Sequence, residues 1–356
     1  MNLTDKEKKI LLVLICTAMG MVALSMYVAT QVQKGDEKVI NNRIHILHSS
    51  GTVEDDFKEK YTANKSKIGK FDVKEYDPMP HSYNISVPDW NQIASDIHAS
   101  YPHYNVFLVI CGKDTMAYTA SALAFMLEHL DKPVILCDEN VTQALILASR
   151  TRIPEVMVAS RGKLLRGCRT TAGSTEHLTS PNYPALKPHN TLKMPTEPFN
   201  LMPMNPDARV IVIRIYPGDT GQQLASVIGD EAIHGLVLET FGDGKIPISE
   251  KLLGIIATLA KQGVVMVAVS QCSKSRRSDI DMRILEAGVL PGYDMTTQAA
   301  YAKLAFLLSN VENKRSVGKI MDMDLRGEVT SDPRMNEPDV PEAAGPLVRA
   351  AASISR

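Results

Sequence analysis

Three runs of consecutive apolar residues, Val106–Cys111, Val134–Cys137 and Val264–Val269, most limit what this chain can fold into. A strand that is apolar at every position has no solvent face, so other elements must cover both sides of it. Further strands are predicted at Ile44–Leu47, Val156–Ala159, Val210–Ile215 and Leu236–Leu238. Helices are predicted at Trp90–Ala99, Met116–His129, Ser249–Gln262 and Thr297–Leu308. Buried strands alternating with helices are the pattern of an α/β fold with a mainly parallel sheet. With 356 residues, 44% of them hydrophobic, the chain can bury two cores, and a disordered or collagen-like chain is excluded. Pro195, Pro198, Pro203 and Pro206 mark a linker over 191–206. It separates an N-terminal α/β domain (41–190) from a C-terminal α/β domain (207–326). The Pro-rich stretch 327–356 is predicted to be a flexible tail.

The N-terminus has a different character. Ile10–Val28 contains no charged residue, and Lys6, Lys8 and Lys9 precede it. A run of that length suits a helix crossing a bilayer core. The reading is a short tail (1–9), a single-pass transmembrane anchor (10–30) and a globular part on the non-cytoplasmic side. A signal peptide cleaved near Ala23-Leu24-Ser25 and a buried helix are the alternatives. Asn64, Asn84 and Asn140 open glycosylation sequons, which matter only if this part is translocated.

Formal net charge is -1, from 39 Lys and Arg against 40 Asp and Glu. A nucleic-acid binder would normally show a basic excess, so no nucleic-acid partner is expected. The five cysteines, Cys16, Cys111, Cys137, Cys168 and Cys272, have no metal-type spacing.

Ligands of open α/β sheets sit beyond the carboxyl ends of strands. Two such ends carry suggestive chemistry. The first reads His48-Ser49-Ser50-Gly51-Thr52-Val53; the second, opening a helix, reads Cys111-Gly112-Lys113-Asp114-Thr115-Met116. Gly51 and Gly112 permit close backbone approach. Asp114 is predicted to cap the helix, whose free N–H groups favour a carboxylate. Taken singly, each turn is also ordinary turn chemistry.

In this order and setting the two turns resemble those of the L-asparaginases, specifically the type I cytosolic group of the bacterial-type enzymes. Asp114 to Glu128, Asp89-Trp90, Arg166-Gly167-Cys168-Arg169-Thr170-Thr171, Ser180-Pro181-Asn182, Tyr216-Pro217-Gly218, Gln271-Cys272, Asp294-Met295-Thr296 and Leu325-Arg326-Gly327-Glu328 follow in family order. The resemblance runs from about Arg43 to Thr330. It implies a larger N-terminal and a smaller C-terminal α/β domain, assembled as homodimers or homotetramers. It also implies hydrolysis of a side-chain amide without metal or cofactor, so an amino acid or small amide is the expected ligand. A first Thr attacks the amide, a Tyr on a mobile loop assists it, and a second Thr, an Asp and a Lys relay the proton.

The carry-over is uneven. Thr52 matches the attacking Thr, with Gly51 beside it and Ser50 where the family has Gly. Asp114 matches the relay Asp, which also holds the substrate's α-amino group. Lys113 replaces the second Thr, Cys111 replaces a His, and Ala172 replaces the relay Lys. In the substrate loop His81 departs from the family while Ser82 remains. Tyr61 is the counterpart considered for the loop Tyr. Glu239 replaces an Arg that binds a regulatory amino acid in bacterial members, and an acid there would repel that ligand's carboxylate.

A Thr hydroxyl is a poor nucleophile without a base, and relay residues act as a unit. The expectation is therefore a membrane-anchored asparaginase-like pseudoenzyme acting as a structural or binding module, with Lys113 paired to Asp114 or Glu128 as a structural plug. The alternative is an active amidohydrolase in which Thr52 attacks and Lys113, with Asp114, supplies the missing base.

Overall fold

The computed structural model describes residues 43–49, 70–78, 80–138, 140–174, 177–218, 221–226, 233–242, 244–273 and 280–330. The predicted anchor, the short tail before it, and the segment after 330 lie outside the described residues. Among the described residues no helix is long and apolar enough to cross a membrane.

The first lobe is built from β1 (Arg43–His48), β2 (Lys70–Glu75), α1 (Val87–Ser100), β3 (Val106–Ile110), α2 (Lys113–Met126), β4 (Val134–Cys137), α3 (Val141–Arg150), β5 (Val156–Ser160) and β6 (Lys163–Arg166). A short hairpin of β7 (Thr171–Ala172) and β8 (Leu178–Thr179) follows. The six described strands of the main sheet lie in the order β2-β1-β3-β4-β5-β6, and only β6 runs antiparallel. Strand order reverses between β1 and β3, the position at which a doubly wound sheet opens a crevice.

The second lobe contains β9 (Val210–Arg214), β10 (Gly235–Thr240), α4 (Glu250–Lys261), β11 (Val265–Ser270), β12 (Val289–Pro291), α5 (Thr297–Asn310) and α6 (Lys314–Met321). Its four described sheet strands are parallel, in chain order. All seven strands expected from sequence are present within a residue or two at most ends. Sequence reading missed β2 because it is a polar edge strand, exposed along most of its length. It missed α3 and α6, each ten residues or fewer.

Helix α2 is apolar or small on almost every side, which is the mark of a helix covered all round. It packs on the first sheet and, through Phe125 against Phe306 of α5 (rings 6.0 Å apart), on the second lobe. One hydrophobic core therefore runs through both lobes, from Phe107 and Leu123 to Val237, Val267 and Leu304. The helix starts at Lys113, with Gly112 in the cap position. Asp114 is thus the second helical residue and makes no cap bond, contrary to its predicted role. Its charge still favours the helix N-terminus, by about 0.3–1 kcal/mol.

The expected tail does not begin at 327. Gly327, Glu328 and Val329 are buried, and Arg169 donates from Nε to the Gly327 carbonyl at 2.6 Å. Arg169 also meets Asp294 at 2.9 Å, so Leu325–Thr330 forms a strap from the second lobe onto the first. Sequence reading missed it because the prolines that signalled looseness begin only at Pro333.

Candidate active site

The carboxyl ends of β1 and β3 lie side by side, since the two strands pair in parallel. The Ser49 backbone N–H and hydroxyl both donate to the Ile110 carbonyl, at 3.0 and 3.2 Å. This fixes the point from which the segment carrying Ser50, Gly51 and Thr52 departs. Those three residues and Tyr61 lie outside the described residues.

Beyond β3, Gly112 lets the loop at Ser82 lie directly on the turn. A Cβ placed on Gly112 would come within 2.6 Å of the Ser82 Oγ. Thr115 donates to the Ser82 carbonyl at 2.7 Å, and the Ser82 hydroxyl faces an Asp114 carboxylate oxygen at 3.5 Å. Ser82, Gly112 and Asp114 are therefore brought together. His81 is exposed and stacks on Tyr83, with ring centroids 5.2 Å apart.

Lys113 points elsewhere than predicted. Glu128 is engaged by Arg326 at 3.3 Å, and the Lys113 side chain forms no ion pair or hydrogen bond among the described residues. The plug is thus corrected: Glu128 is buried and the second partner, Asp114, faces Ser82 instead. Lys113 lines a small cavity of about 90 Å³ with Asp138, Asn140, Arg161 and His177. Leu178 of the same cavity pairs with Ala172 across the β7–β8 hairpin, so the position assigned to the relay Lys lies beside this space. Ala172 is exposed and brings only a methyl group. Cys111 is fully buried, and burial pushes its thiol well above the ordinary range, so it stays protonated and acts as packing.

Glu239 belongs to a separate cluster at the carboxyl end of β10. One carboxylate oxygen accepts from Arg214 Nε and the other from the Thr297 hydroxyl, both at 2.7 Å. Burial, and then the charge of Glu239, raise the pKa of Tyr118 on α2. Both carboxylate oxygens are thus already engaged by this chain's own residues.

Sequence reasoning missed Asp138, Arg161 and His177. The rule that ligands sit at strand carboxyl ends reaches the first two, which follow β4 and β5 directly.

This two-lobe fold, with its site at the β1–β3 crevice, defines a protein of the asparaginase class. The family model described as Asparaginase, N-terminal matches residues 43–198, and the Glutaminase/Asparaginase C-terminal domain matches 209–321. The chain belongs to the asparaginase family. It is 31% identical over 306 residues to L-asparaginase 1 of Escherichia coli K12, covering 76% of this chain and 88% of that one. It is 34% identical over 293 residues to the 60 kDa lysophospholipase of Mus musculus, covering 73% of this chain and 51% of that one. The solved L-asparaginase I of Vibrio cholerae superposes with a TM-score of 0.74 at 31% identity, over 82% of this chain and all of that one.

Proposed function

We propose that this protein is a membrane-anchored member of the family that binds an amino acid or small amide but lacks the standard asparaginase reaction. The observation that carries this reading is at Lys113 and Ala172. A lysine side chain occupies the place assigned to the second Thr, and a methyl group occupies the place assigned to the relay Lys. A hydroxyl at Thr52 then has no relay of the family type to take its proton, and loss of cooperating groups removes most of their joint effect. The ligand-holding half, Ser82 with Asp114, is retained at 3.5 Å. The uncharged run at 10–28 supports the anchor, with the globular part on the non-cytoplasmic side. Family membership supports a homodimer or homotetramer.

A second reading is favoured by one observation: among the described residues, the Lys113 side chain is not tied up in an ion pair. In this reading the Lys113 amine serves Thr52 as the base and amide hydrolysis is preserved. Ammonia release from asparagine, glutamine and small amides by the purified full chain, beside Thr52→Ala, separates the two. Turnover that Thr52→Ala abolishes overturns the first reading. A folded, ligand-binding protein without turnover overturns the second.

A further inference from the structure

The two edges of the larger sheet differ in chemistry. At the amino edge β1, β3, β4 and β5 all begin. The backbones are knitted there by Asn105 N–H to the Arg43 carbonyl (2.9 Å), Phe107 to Pro133 (3.0 Å) and Val134 to Glu155 (3.1 Å). The carboxylates of this edge are taken internally. Asp72 accepts from Tyr104 and Arg43, Asp131 is held by Tyr101, and Glu155 is clamped by Arg166 at 2.6 and 3.1 Å.

The cations of this edge are not matched in the same way. Arg150 and Arg152, at the C-terminal end of α3, and Lys187 and Lys193 on the connection to the second lobe are exposed. None has an ion-pair partner among the described residues. Arg150, Arg152 and Lys187 border a groove of about 580 Å³ that no acidic side chain lines among the described residues. Its walls are Leu147, Ile153, Leu164, Leu186 and Leu192. Met194 stands at its lip with 62% of its surface exposed.

We propose that this edge is a docking surface for a bilayer rich in anionic phospholipid. Unpaired cations around an apolar groove suit a headgroup layer, which offers phosphate and carboxylate oxygens above acyl chains. An exposed methionine can enter the boundary between the two at little desolvation cost. The surface stands on described residues alone. Docked this way, the chain presents the crevice at Gly112 and Asp114 away from the bilayer.

The test uses residues 41–356, which leave out the uncharged run and keep both matched domains, 43–198 and 209–321, entire. Flotation is measured with vesicles of phosphatidylcholine alone and of phosphatidylcholine with phosphatidylserine. The expected result is partitioning onto the phosphatidylserine vesicles only, weakened by salt. The triple variant Arg150→Gln/Arg152→Gln/Lys187→Gln, with an unchanged melting curve, should lose on the order of a hundredfold in partitioning. Met194→Asp should also weaken it. Equal binding to both vesicles, no binding, or full binding by the triple variant overturns the proposal. So does displacement by inorganic phosphate as effective as by vesicles, which would assign the cations to a soluble anion. Carbonate extraction of the full chain tests the anchor separately, so failure of one reading is distinct from failure of the other.

Discussion

Gly112 and Ser82 occupy one another's space: a methyl group added to the glycine would overlap the serine side chain. The backbone of Gly112, at φ -66°, suits any residue, so the glycine is required by proximity and not by conformation. Gly112→Ala should therefore push the Ser82 loop off the start of α2, breaking the Thr115 bond to the Ser82 carbonyl. Overpacking of this kind costs about 1–3 kcal/mol. Ser82→Gly removes the overlapped atoms, so the double variant should recover most of that stability. Denaturant unfolding of the two single variants and the double variant checks this, and additive losses would show that the contact is not the cause.

Lys113 and Ala172 together hold the departures from the family relay. Restoring both, as Lys113→Thr/Ala172→Lys, should raise ammonia release from asparagine by at least about a hundredfold over the unaltered chain. Either change alone should do little, because relay groups act as a unit. The measurement is a steady-state ammonia assay on all three variants. No gain from a folded double variant would place the defect in the substrate loop at His81 or in the segment carrying Thr52.

The fold was legible wherever burial wrote itself into composition. β3 and β4 are apolar throughout because helices cover both faces, and their positions can be read from the sequence alone. β2 could not be read this way, since an exposed edge strand such as Lys70–Glu75 carries no such signal. At the site, turn residues and the family order brought Ser82, Gly112 and Asp114 to one place. The partner of Lys113 was not legible. Charge spacing offered Asp114 and Glu128, whereas the fold spends Glu128 on Arg326, which is 198 residues away in the chain. Long-range pairings of that kind leave no local pattern.

Glu239 lies close enough to Tyr118 to bias its ionisation. Burial is the larger cause of the raised phenol pKa, and the negative charge of Glu239 comes next, ahead of Tyr301. Glu239→Gln removes that charge and keeps the shape, so Tyr118 should ionise at lower pH than in the unaltered chain. The direction follows from the phenolate being the charged form, which a neighbouring acid disfavours. Ultraviolet titration of tyrosinate absorbance, with Tyr118→Phe to identify the contributing residue, reads this directly. An unchanged or higher ionisation pH would contradict the placement of Glu239.

Lys303 and Glu328 form an ion pair at 2.6 Å with both side chains fully buried. Lys303 also donates to the Met321 carbonyl at 2.9 Å, and Glu328 accepts from the Leu325 and Arg326 backbone N–H groups. The pair thereby pins the strap from Leu325 to Thr330, which Arg169 and Asp294 fasten to the first lobe. Burial alone would raise the Glu328 pKa, but the charge and hydrogen bond of Lys303 outweigh it and hold the carboxyl well below its ordinary value. A depressed native pKa makes the unfolded chain the better proton acceptor. The resulting stabilisation is complete above the unfolded value of about 4.3 and is lost as the pH falls below it. Glu328→Gln leaves the Lys303 charge buried without its counter-charge and should cost about 3–5 kcal/mol at neutral pH. Its stability should also fall less between neutral pH and acid than that of the unaltered chain. Urea unfolding at a series of pH values measures both effects, and parallel pH curves for the two proteins would show that the pair does not govern the acid sensitivity.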